Sequence, residues 1–154
     1  MKEVSSTTWT FQIMIFFILI FACFLTLVLS YSKAYTIKNR MLTIIEKYEG
    51  FTPDSIGIVN SFVSEYSYRT KSTCQEDWYG AIDLEGNYEV AKGKTRYYYC
   101  FKENKAKNNY IYYDIEVFYK FNLPVIGDVA TYRIKGQTKT FIGSNDRIGW
   151  EKWM

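Results

Sequence analysis

The chain has 154 residues, and its 19 basic and 16 acidic side chains leave a formal net charge of +3 at pH 7. So small a basic excess does not favour a nucleic-acid-binding protein, which concentrates positive charge on one surface. The chain contains no histidine, and it therefore lacks the side chain that most often serves as a general base or a metal ligand.

The N-terminal segment is a candidate membrane span. No charged side chain occurs from Val4 to Ser32, and the stretch from Phe11 to Tyr31 is almost continuously apolar. A helix of this length reaches about 30 Å, the thickness of the hydrocarbon core of a bilayer. The alternatives are a signal peptide cleaved near Ser32-Lys33-Ala34 and a buried core helix. The apolar run is too long for either, so a retained span is favoured.

The helix is predicted to continue beyond the membrane. Apolar side chains recur at helical spacing from Ala34 to Tyr48, and basic side chains lie between them. Gly50 is the first residue that favours a helix end. We therefore predict one helix from about Thr8 to Glu49. The predicted divisions of the chain are a transmembrane segment (1–32), an amphipathic continuation of the helix (33–50) and a soluble α+β domain (51–154).

A stripe of small side chains lies within and just beyond the apolar run. Its members are spaced four residues apart: Ala22, Thr26, Ser30 and Ala34. Small residues at this spacing let helix backbones approach closely in lipid, where packing drives helix association. The alternative is that small residues simply tolerate lipid. We expect the stripe to pack against similar helices.

A second helix and then a sheet are predicted after Gly50. Thr52 can cap a helix that begins at Pro53, and apolar side chains at helical spacing extend it to about Tyr66. From Trp78 onward apolar side chains recur at period two, which indicates strands. The predicted strands are Tyr79–Leu84, Tyr88–Ala91, Lys94–Lys102, Tyr110–Phe121 and Ala130–Ile142, with turns at 84–87 and 103–109.

The predicted fold is α+β. A long N-terminal transmembrane helix continues into a small domain with a short second helix and a four- to five-stranded antiparallel sheet, in a lollipop-like layout with the helices on one face. Alternation places Tyr97, Tyr99 and Phe101 on the inward face of their strand, and Tyr113 and Phe121 on that of theirs. Outward acids of the 110–121 strand and outward bases of the 130–142 strand indicate that these two strands pair.

Aromatic side chains are abundant on the predicted strands. Most of the 15 tyrosines lie from Tyr66 onward, which argues against a main role as membrane anchors. The aromatic side chains expected on outward faces form a possible partner surface: Tyr98, Tyr110, Tyr112 and Phe118. Tyrosine is enriched at recognition surfaces, but it is also a favoured strand residue that fills a small sheet. The second interpretation is favoured.

Two cysteines and the flanking charge point to opposite sides of a membrane. A possible Cys74–Cys100 disulfide would contribute about 3 kcal/mol and would persist only in an oxidising compartment. Cys23 lies within the apolar run. The bases that follow the run would instead place the domain in the cytoplasm under the positive-inside rule: Lys33, Lys38, Arg40 and Lys47. The orientation therefore remains open at this point.

Catalytic motifs are lacking. The sequence has no glycine-rich phosphate loop, no serine-nucleophile motif and no paired-cysteine metal motif. Asp83 to Asn87 resembles a fragment of a calcium loop, but the remaining spacing fails and a turn between strands explains it. We expect a protein that is not an enzyme and that needs neither a cofactor nor a metal.

The layout resembles that of pilins and pseudopilins. An apolar N-terminal helix continues into an amphipathic segment and a small antiparallel-sheet domain. The stretches FFILIFACFLTLVLSYSKAYTIKNRMLTIIEKYEG and FYKFNLPVIGDVATYRIKGQTKT are most similar to TadE-like proteins, the minor pilin-like components of tight-adherence pili. The resemblance implies a structural part of a surface filament or of its assembly machine, with other pilin-like or TadE/TadF-like subunits, a membrane assembly platform and the lipid bilayer as partners.

The sequence departs from the pilin pattern at its N-terminus. Pilin precursors usually carry a glycine before the apolar run and a glutamate shortly after the cleavage point, whereas the first glycine here is Gly50 and no acid lies between Glu3 and Glu46. We therefore expect a retained, single-pass component of the cell membrane with its domain outside. The alternative is a membrane-anchored binding module that recognises glycan or protein through exposed tyrosines.

Overall fold

A computed structural model describes residues 2–66, 70–123 and 127–142 of the chain. It begins with one continuous helix, α1 (Lys2–Lys47). The side chains of α1 are exposed or partly exposed from Thr7 to Lys33, and the first buried one is Ala34. The predicted long helix is therefore confirmed, and its change from exposed to buried falls two residues after the predicted end of the membrane segment.

The turn between the two helices follows local capping rules. Gly50 donates its N–H to the carbonyl of Ile45 at 2.9 Å, and Glu49 between them has a left-handed φ of 55°. This bond pattern closes the C-terminus of α1. Helix α2 (Pro53–Tyr66) begins with the predicted cap, because Ser55 N–H donates to Thr52 Oγ1 and Thr52 N–H donates to Ser55 Oγ. Both predicted bounds of α2 are confirmed.

Within the described residues the sheet is antiparallel and has six strands, rather than the predicted four or five. In chain order the strands of the domain are β1 (Ser72–Thr73), β2 (Tyr79–Ala81), β3 (Tyr88–Val90), β4 (Arg96–Tyr97), β5 (Tyr99–Lys105), β6 (Tyr110–Leu123), β7 (Gly127–Gln137) and β8 (Phe141–Ile142). The order across the sheet is β3-β2-β5-β6-β7, with β8 on β6 beyond the end of β7, and β1 pairs with β4 separately. The predicted α+β layout is confirmed.

The core lies between the sheet and the two helices, and we call it the helix-side core. It is contributed by both helices, by the turn that joins them and by β2, β5 and β6. Its buried members are Ile37, Met41, Ile44, Ile45, Phe51, Ile56, Val59, Val63, Ala81, Tyr99, Phe101, Ile111, Tyr113, Ile115 and Val117. Phe51 stacks on Phe101 with ring centroids 3.9 Å apart. Two polar bonds enter this core, from Tyr99 Oη to Asn60 Oδ1 at 2.8 Å and from Tyr113 Oη to Glu103 Oε2 at 2.6 Å.

The opposite face of the sheet carries a second, smaller set of buried residues, which we call the far-side cluster. It consists of Trp78, Ala91, Tyr97, Cys100 and Phe118, and Cys74 and Ile82 pack against it. Sequence alternation predicts an open outward face here, and the structure corrects this. The strand pair β1–β4 and the residues around Trp78 come from segments too short for a periodic signal.

Three details of the predicted strands are wrong. Tyr97 lies in the far-side cluster rather than with Tyr99, because the strand is interrupted at Tyr98 between β4 and β5. The predicted 103–109 turn is shorter, since β5 runs to Lys105. The predicted 130–142 strand is two strands, and Thr138 lies in the gap, where its backbone N–H and its hydroxyl bond to the backbone of Tyr113.

Some predicted features lie outside the described part of the chain. The side chain of Phe121, expected to face inward, is one of them. Residues 143–154, which the sequence assigns to the soluble domain, are another. The described residues therefore cover the predicted membrane segment from Lys2, and the soluble domain up to Ile142 except for residues 67–69 and 124–126.

Candidate functional site

The exposed half of α1 is the most unusual surface of the molecule. Large apolar side chains such as Phe17 (66% exposed) and Leu29 (62% exposed) are left largely uncovered by the described residues. Among the described residues, α1 is the one helix long and apolar enough to cross a membrane, and none of its most apolar stretch is buried. The predicted candidate for a single span is therefore present.

The four small residues of the predicted stripe do not share one environment. Ala34 is buried against the soluble domain, Thr26 and Ser30 are partly covered, and Ala22 is exposed. At 3.6 residues per turn, Ala22 points about 120° away from Ala34 around the helix. Thr26 Oγ1 donates to the carbonyl of Ala22 at 2.9 Å, so its hydroxyl is satisfied within the helix. Only Ala22, Thr26 and Ser30 remain as a candidate contact with another helix.

The predicted disulfide lies in the far-side cluster. Cys74 and Cys100 are bonded, with their Cα atoms 5.8 Å apart. Cys100 is fully buried, and the bond ties the segment after β1 to the centre of the sheet. Cys23 is the free cysteine of the described residues. The Cys74–Cys100 prediction is confirmed.

A buried carboxylate lies beside this cluster. Glu116 is fully buried, and its two carboxylate oxygens lie 3.7 Å from Arg133 Nη1 and 3.7 Å from Lys135 Nζ. Neither oxygen has a hydrogen-bond partner within the described ranges. The β6–β7 register places Glu116 opposite Lys135. The predicted pairing of acids and bases across these strands is confirmed, and the sequence missed that the acid is buried.

The predicted aromatic surface is not a single surface. Tyr110 is 42% exposed and Tyr112 is half-buried. Tyr98 packs against the helix-side core, and Lys71 Nζ lies 4.3 Å from its ring centroid. Phe118 is buried, with Arg133 over its ring. The expectation that Phe118 is exposed is wrong, because the far-side cluster covers it.

The Asp83 turn is closed by its own hydrogen bonds. Asp83 Oδ1 accepts from the backbone N–H groups of Glu85, Gly86 and Asn87, each at 3.1 Å, and Oδ2 accepts from Asn87 Nδ2 at 2.7 Å. These bonds, led by the one from the Asn87 side chain, lower the pKa of Asp83. The predicted turn between strands is confirmed. Within the described ranges, no cluster of three or more acidic or cysteine side chains could hold a metal ion.

Four exposed tyrosines lie where the exposed half of α1 meets the soluble domain, and we call them the junction tyrosines: Tyr31, Tyr35, Tyr66 and Tyr132. Tyr31 and Tyr35 stack along α1 with centroids 6.2 Å apart. Tyr66, at the end of α2, lines a groove with residues 32–37 of α1. Tyr132 stacks on Tyr119 at 5.5 Å. Burial raises the pKa of Tyr119, and interactions with Tyr132 and Tyr31 raise it further.

The sequence contains a signal for only half of this set. Tyr31 and Tyr35 flank the end of the apolar run, where aromatic residues mark a membrane boundary. Tyr66 and Tyr132 reach the same level only through the packing of α2 and β7, which no local pattern reveals.

Comparison with known proteins adds no relative. No protein-family model matches the chain, and no curated protein or solved structure shows significant similarity to it. The resemblance to TadE-like proteins therefore stays a prediction, carried by the layout of the chain and the two stretches quoted above.

Proposed function

We propose that this chain is a non-enzymatic, pilin-like membrane protein, retained by its N-terminal helix as a minor structural or assembly component of a pilus or secretion apparatus related to the tight-adherence type. The observation that carries the proposal is the continuity of α1. One helix supplies both the exposed apolar segment and four of the fifteen buried residues of the helix-side core. A force or a displacement on the membrane segment is therefore transmitted directly to the domain.

The packing of α1 supports this mechanical role. Its buried half contacts both β6 and β7, and Glu46 near its end accepts a bond from the Lys139 backbone N–H at 3.1 Å. A Cβ placed on Gly136 would lie 3.0 Å from Leu42 Cδ1 and from Lys38 Cδ, so the helix lies directly on the strand. Between Lys2 and Lys47 the helix has no break at which the domain could swing.

The disulfide supports a location outside the cytoplasm. Structural disulfides persist in oxidising compartments and are rare in the cytosol of most organisms. The bases after the apolar run, which would argue for the opposite orientation, lie largely on the exposed side of the same helix, and Lys38 Nζ stacks over Tyr35 at 4.2 Å. They belong to the surface of a folded domain rather than to a short loop, and the positive-inside rule is weaker there.

The proposed partners are other membrane helices that meet α1 at Ala22, Thr26 and Ser30. Replacing Thr26 and Ser30 together by leucine should reduce several-fold the membrane proteins that co-purify with the tagged full-length chain from mild detergent. The matched control is Val28→Phe, which adds bulk on the opposite side of the helix, since Val28 lies 200° from Thr26 at about 100° per residue. It should leave the complexes intact.

Two outcomes contradict parts of this proposal. Unchanged complexes in the Thr26→Leu/Ser30→Leu variant remove the stripe as the contact surface. A wild-type chain that co-purifies with no other membrane protein removes the role as an assembly component.

A further inference from the structure

We propose that the end of the soluble domain nearest the membrane lies in the headgroup region of the bilayer, anchored there by the junction tyrosines Tyr31, Tyr35, Tyr66 and Tyr132. This inference rests on the proposed membrane span of α1, and it adds a second contact with lipid that the chain makes through its folded domain. The partner is the headgroup layer of the membrane that α1 crosses.

The level of the junction tyrosines along α1 carries the argument. The apolar run ends at Tyr31, which places the edge of the hydrocarbon core close to that residue. Tyr35 lies four residues further, about 6 Å along the helix axis. The headgroup region on each side of a bilayer is about 5–7 Å thick. Tyr31 and Tyr35 therefore span its depth.

Tyr66 and Tyr132 reach this level from other elements. The groove that Tyr66 lines is shared with Lys33 and Thr36, so the C-terminal end of α2 lies beside the same turns of α1. Tyr132 stacks on Tyr119 and lies four residues, about 13 Å, beyond Gly136 along β7 on the side away from Lys139, and Gly136 itself lies against Lys38 and Leu42. Three elements that are distant in sequence thus present aromatic side chains at one level.

The chemistry and the exposure of these side chains fit lipid headgroups. All four are exposed in the chain alone, at 49% for Tyr31, 44% for Tyr35, 57% for Tyr66 and 48% for Tyr132. A tyrosine ring has an apolar body and a polar hydroxyl, and such rings are enriched at the boundary between hydrocarbon and water. Lys33 is also exposed at this level, and its long side chain can extend to phosphate groups.

The direction of the β6–β7 hairpin adds support. Lys139 donates its backbone N–H to Glu46, and Gly136 lies against Lys38 and Leu42, so the contacts of β7 move towards the N-terminus of α1 as the strand is followed back from Lys139. The hairpin therefore runs along α1 towards the apolar run. Its strands stay paired past Tyr119, as far as Leu123 opposite Gly127. The paired strands therefore extend to the membrane-facing end of the described domain.

Site-specific photo-crosslinking in the full-length chain tests the inference. The photoreactive amino acid p-benzoylphenylalanine would replace one residue in each variant. The positions are Tyr66, Tyr132 and, on α1, Tyr35. The protein would be reconstituted into vesicles of phosphatidylethanolamine and phosphatidylglycerol and illuminated, and lipid adducts would be measured by mass spectrometry. Tyr110 is the matched control, because it is similarly exposed (42%) but pairs with Ile142 at the opposite end of β6. Ile18, exposed within the apolar run, reports on the span itself.

We expect lipid adducts at positions 18, 35, 66 and 132, and at least ten-fold fewer at position 110. Adducts at 18 with none at 66 and 132 would overturn the inference while leaving the membrane span intact. Crosslinks from 66 or 132 to a second copy of the chain, in place of lipid, would also overturn it, as would equal lipid labelling at 110. The absence of adducts at position 18 would refute the span and, with it, the proposed function. Retention of the Cys74–Cys100 disulfide in each variant verifies that the domain has folded.

Discussion

The two faces of the sheet are held by different interactions, although they share the same strands. The helix-side core buries fifteen apolar or aromatic residues from both helices, the turn that joins them and three strands. The far-side cluster buries five, and it is completed by a disulfide and by the carboxylate of Glu116 beneath Arg133 and Lys135. The first face depends on the area of apolar surface removed from water, and the second on a covalent bond and on charge.

Because the interactions differ, different conditions should weaken each face. Apolar burial responds to denaturant and to cavities, whereas a disulfide responds to reductant and an ion pair to the loss of one partner. Each variant below changes one face, so that the contributions can be compared in one protein. All measurements are made on the full-length chain in detergent micelles.

The largest loss is expected from a cavity in the helix-side core. Phe101 is fully buried between Phe51 and Tyr79, with ring centroids 3.9 Å and 5.4 Å away. Phe101→Ala should lower the free energy of unfolding by about 3–5 kcal/mol, because the surrounding rings cannot collapse into the space. Urea titration followed by near-UV circular dichroism measures the change. Tyr110→Ala, an exposed position on the same sheet, should change it by less than about 0.5 kcal/mol. Equal effects would show that Phe101 is not a central contact.

Loss of the disulfide should weaken the far side by about 3 kcal/mol. The bond closes a sequence separation of 26 residues, and the stabilisation follows from the restricted unfolded chain. Cys74→Ala/Cys100→Ala should therefore shift the urea midpoint downward, and reductant should do the same to the wild type. Cys23→Ala, outside the cluster, is the control and should leave the urea midpoint unchanged. A variant without the disulfide that keeps the wild-type midpoint would show that apolar contacts alone hold this face.

Removing the two bases above Glu116 should have a smaller effect. Arg133→Met/Lys135→Met leaves a fully buried carboxylate without an opposite charge, which costs about 1–3 kcal/mol. The side chains of Arg133 and Lys135 are 38% and 61% exposed, and water screening keeps the loss below that of the core cavity. Lys92→Met/Lys94→Met removes the same charge from an exposed turn and should be nearly neutral. Glu116→Gln added to the first variant should recover part of the loss, and no recovery would contradict the role of the buried charge.

The sequence predicts the helices and the helix-side core well for physical reasons. The start of α2 follows from the cap at Thr52 and the proline at the first helical position, and its end follows from the spacing of its apolar side chains. The inward set on β6, such as Tyr113 and Ile115, follows from strict alternation. These signals are contained within a few consecutive residues, so they can be recognised without knowledge of the rest of the fold.

The sequence predicts the far side poorly because its contacts join distant short segments. Phe118 has an outward position by alternation, but Trp78 and the disulfide cover it. Tyr97 changes faces at the interruption near Tyr98, and the absence of a Cβ on Gly80 leaves room for its ring. The small-residue stripe of α1 is another case in which a local pattern does not reveal the environment of a side chain. Ala34 belongs to a regular stripe in the sequence, but its environment is set by the domain that packs on it.

The substitution with the smallest expected effect on stability gives the clearest test of whether the two faces behave independently. Gly57 lies on the exposed side of α2, and a Cβ placed there would meet no atom within 4 Å. Gly57→Ala should therefore stabilise α2, and with it the helix-side core, by about 0.5–1 kcal/mol. Gly86→Ala is the contrasting variant and should destabilise, because Gly86 has a φ of +115° that alanine rarely adopts. Urea titration measures both changes.

The rate at which reductant opens the disulfide in the native Gly57→Ala variant then tests the comparison itself. If the far-side cluster opens locally, without unfolding of the helix-side core, the reduction rate should equal that of the wild type. A rate lowered in proportion to the added stability would show instead that the disulfide is exposed only when the whole domain unfolds. The two faces would then form one cooperative unit, and their different interactions would not give them separate stabilities.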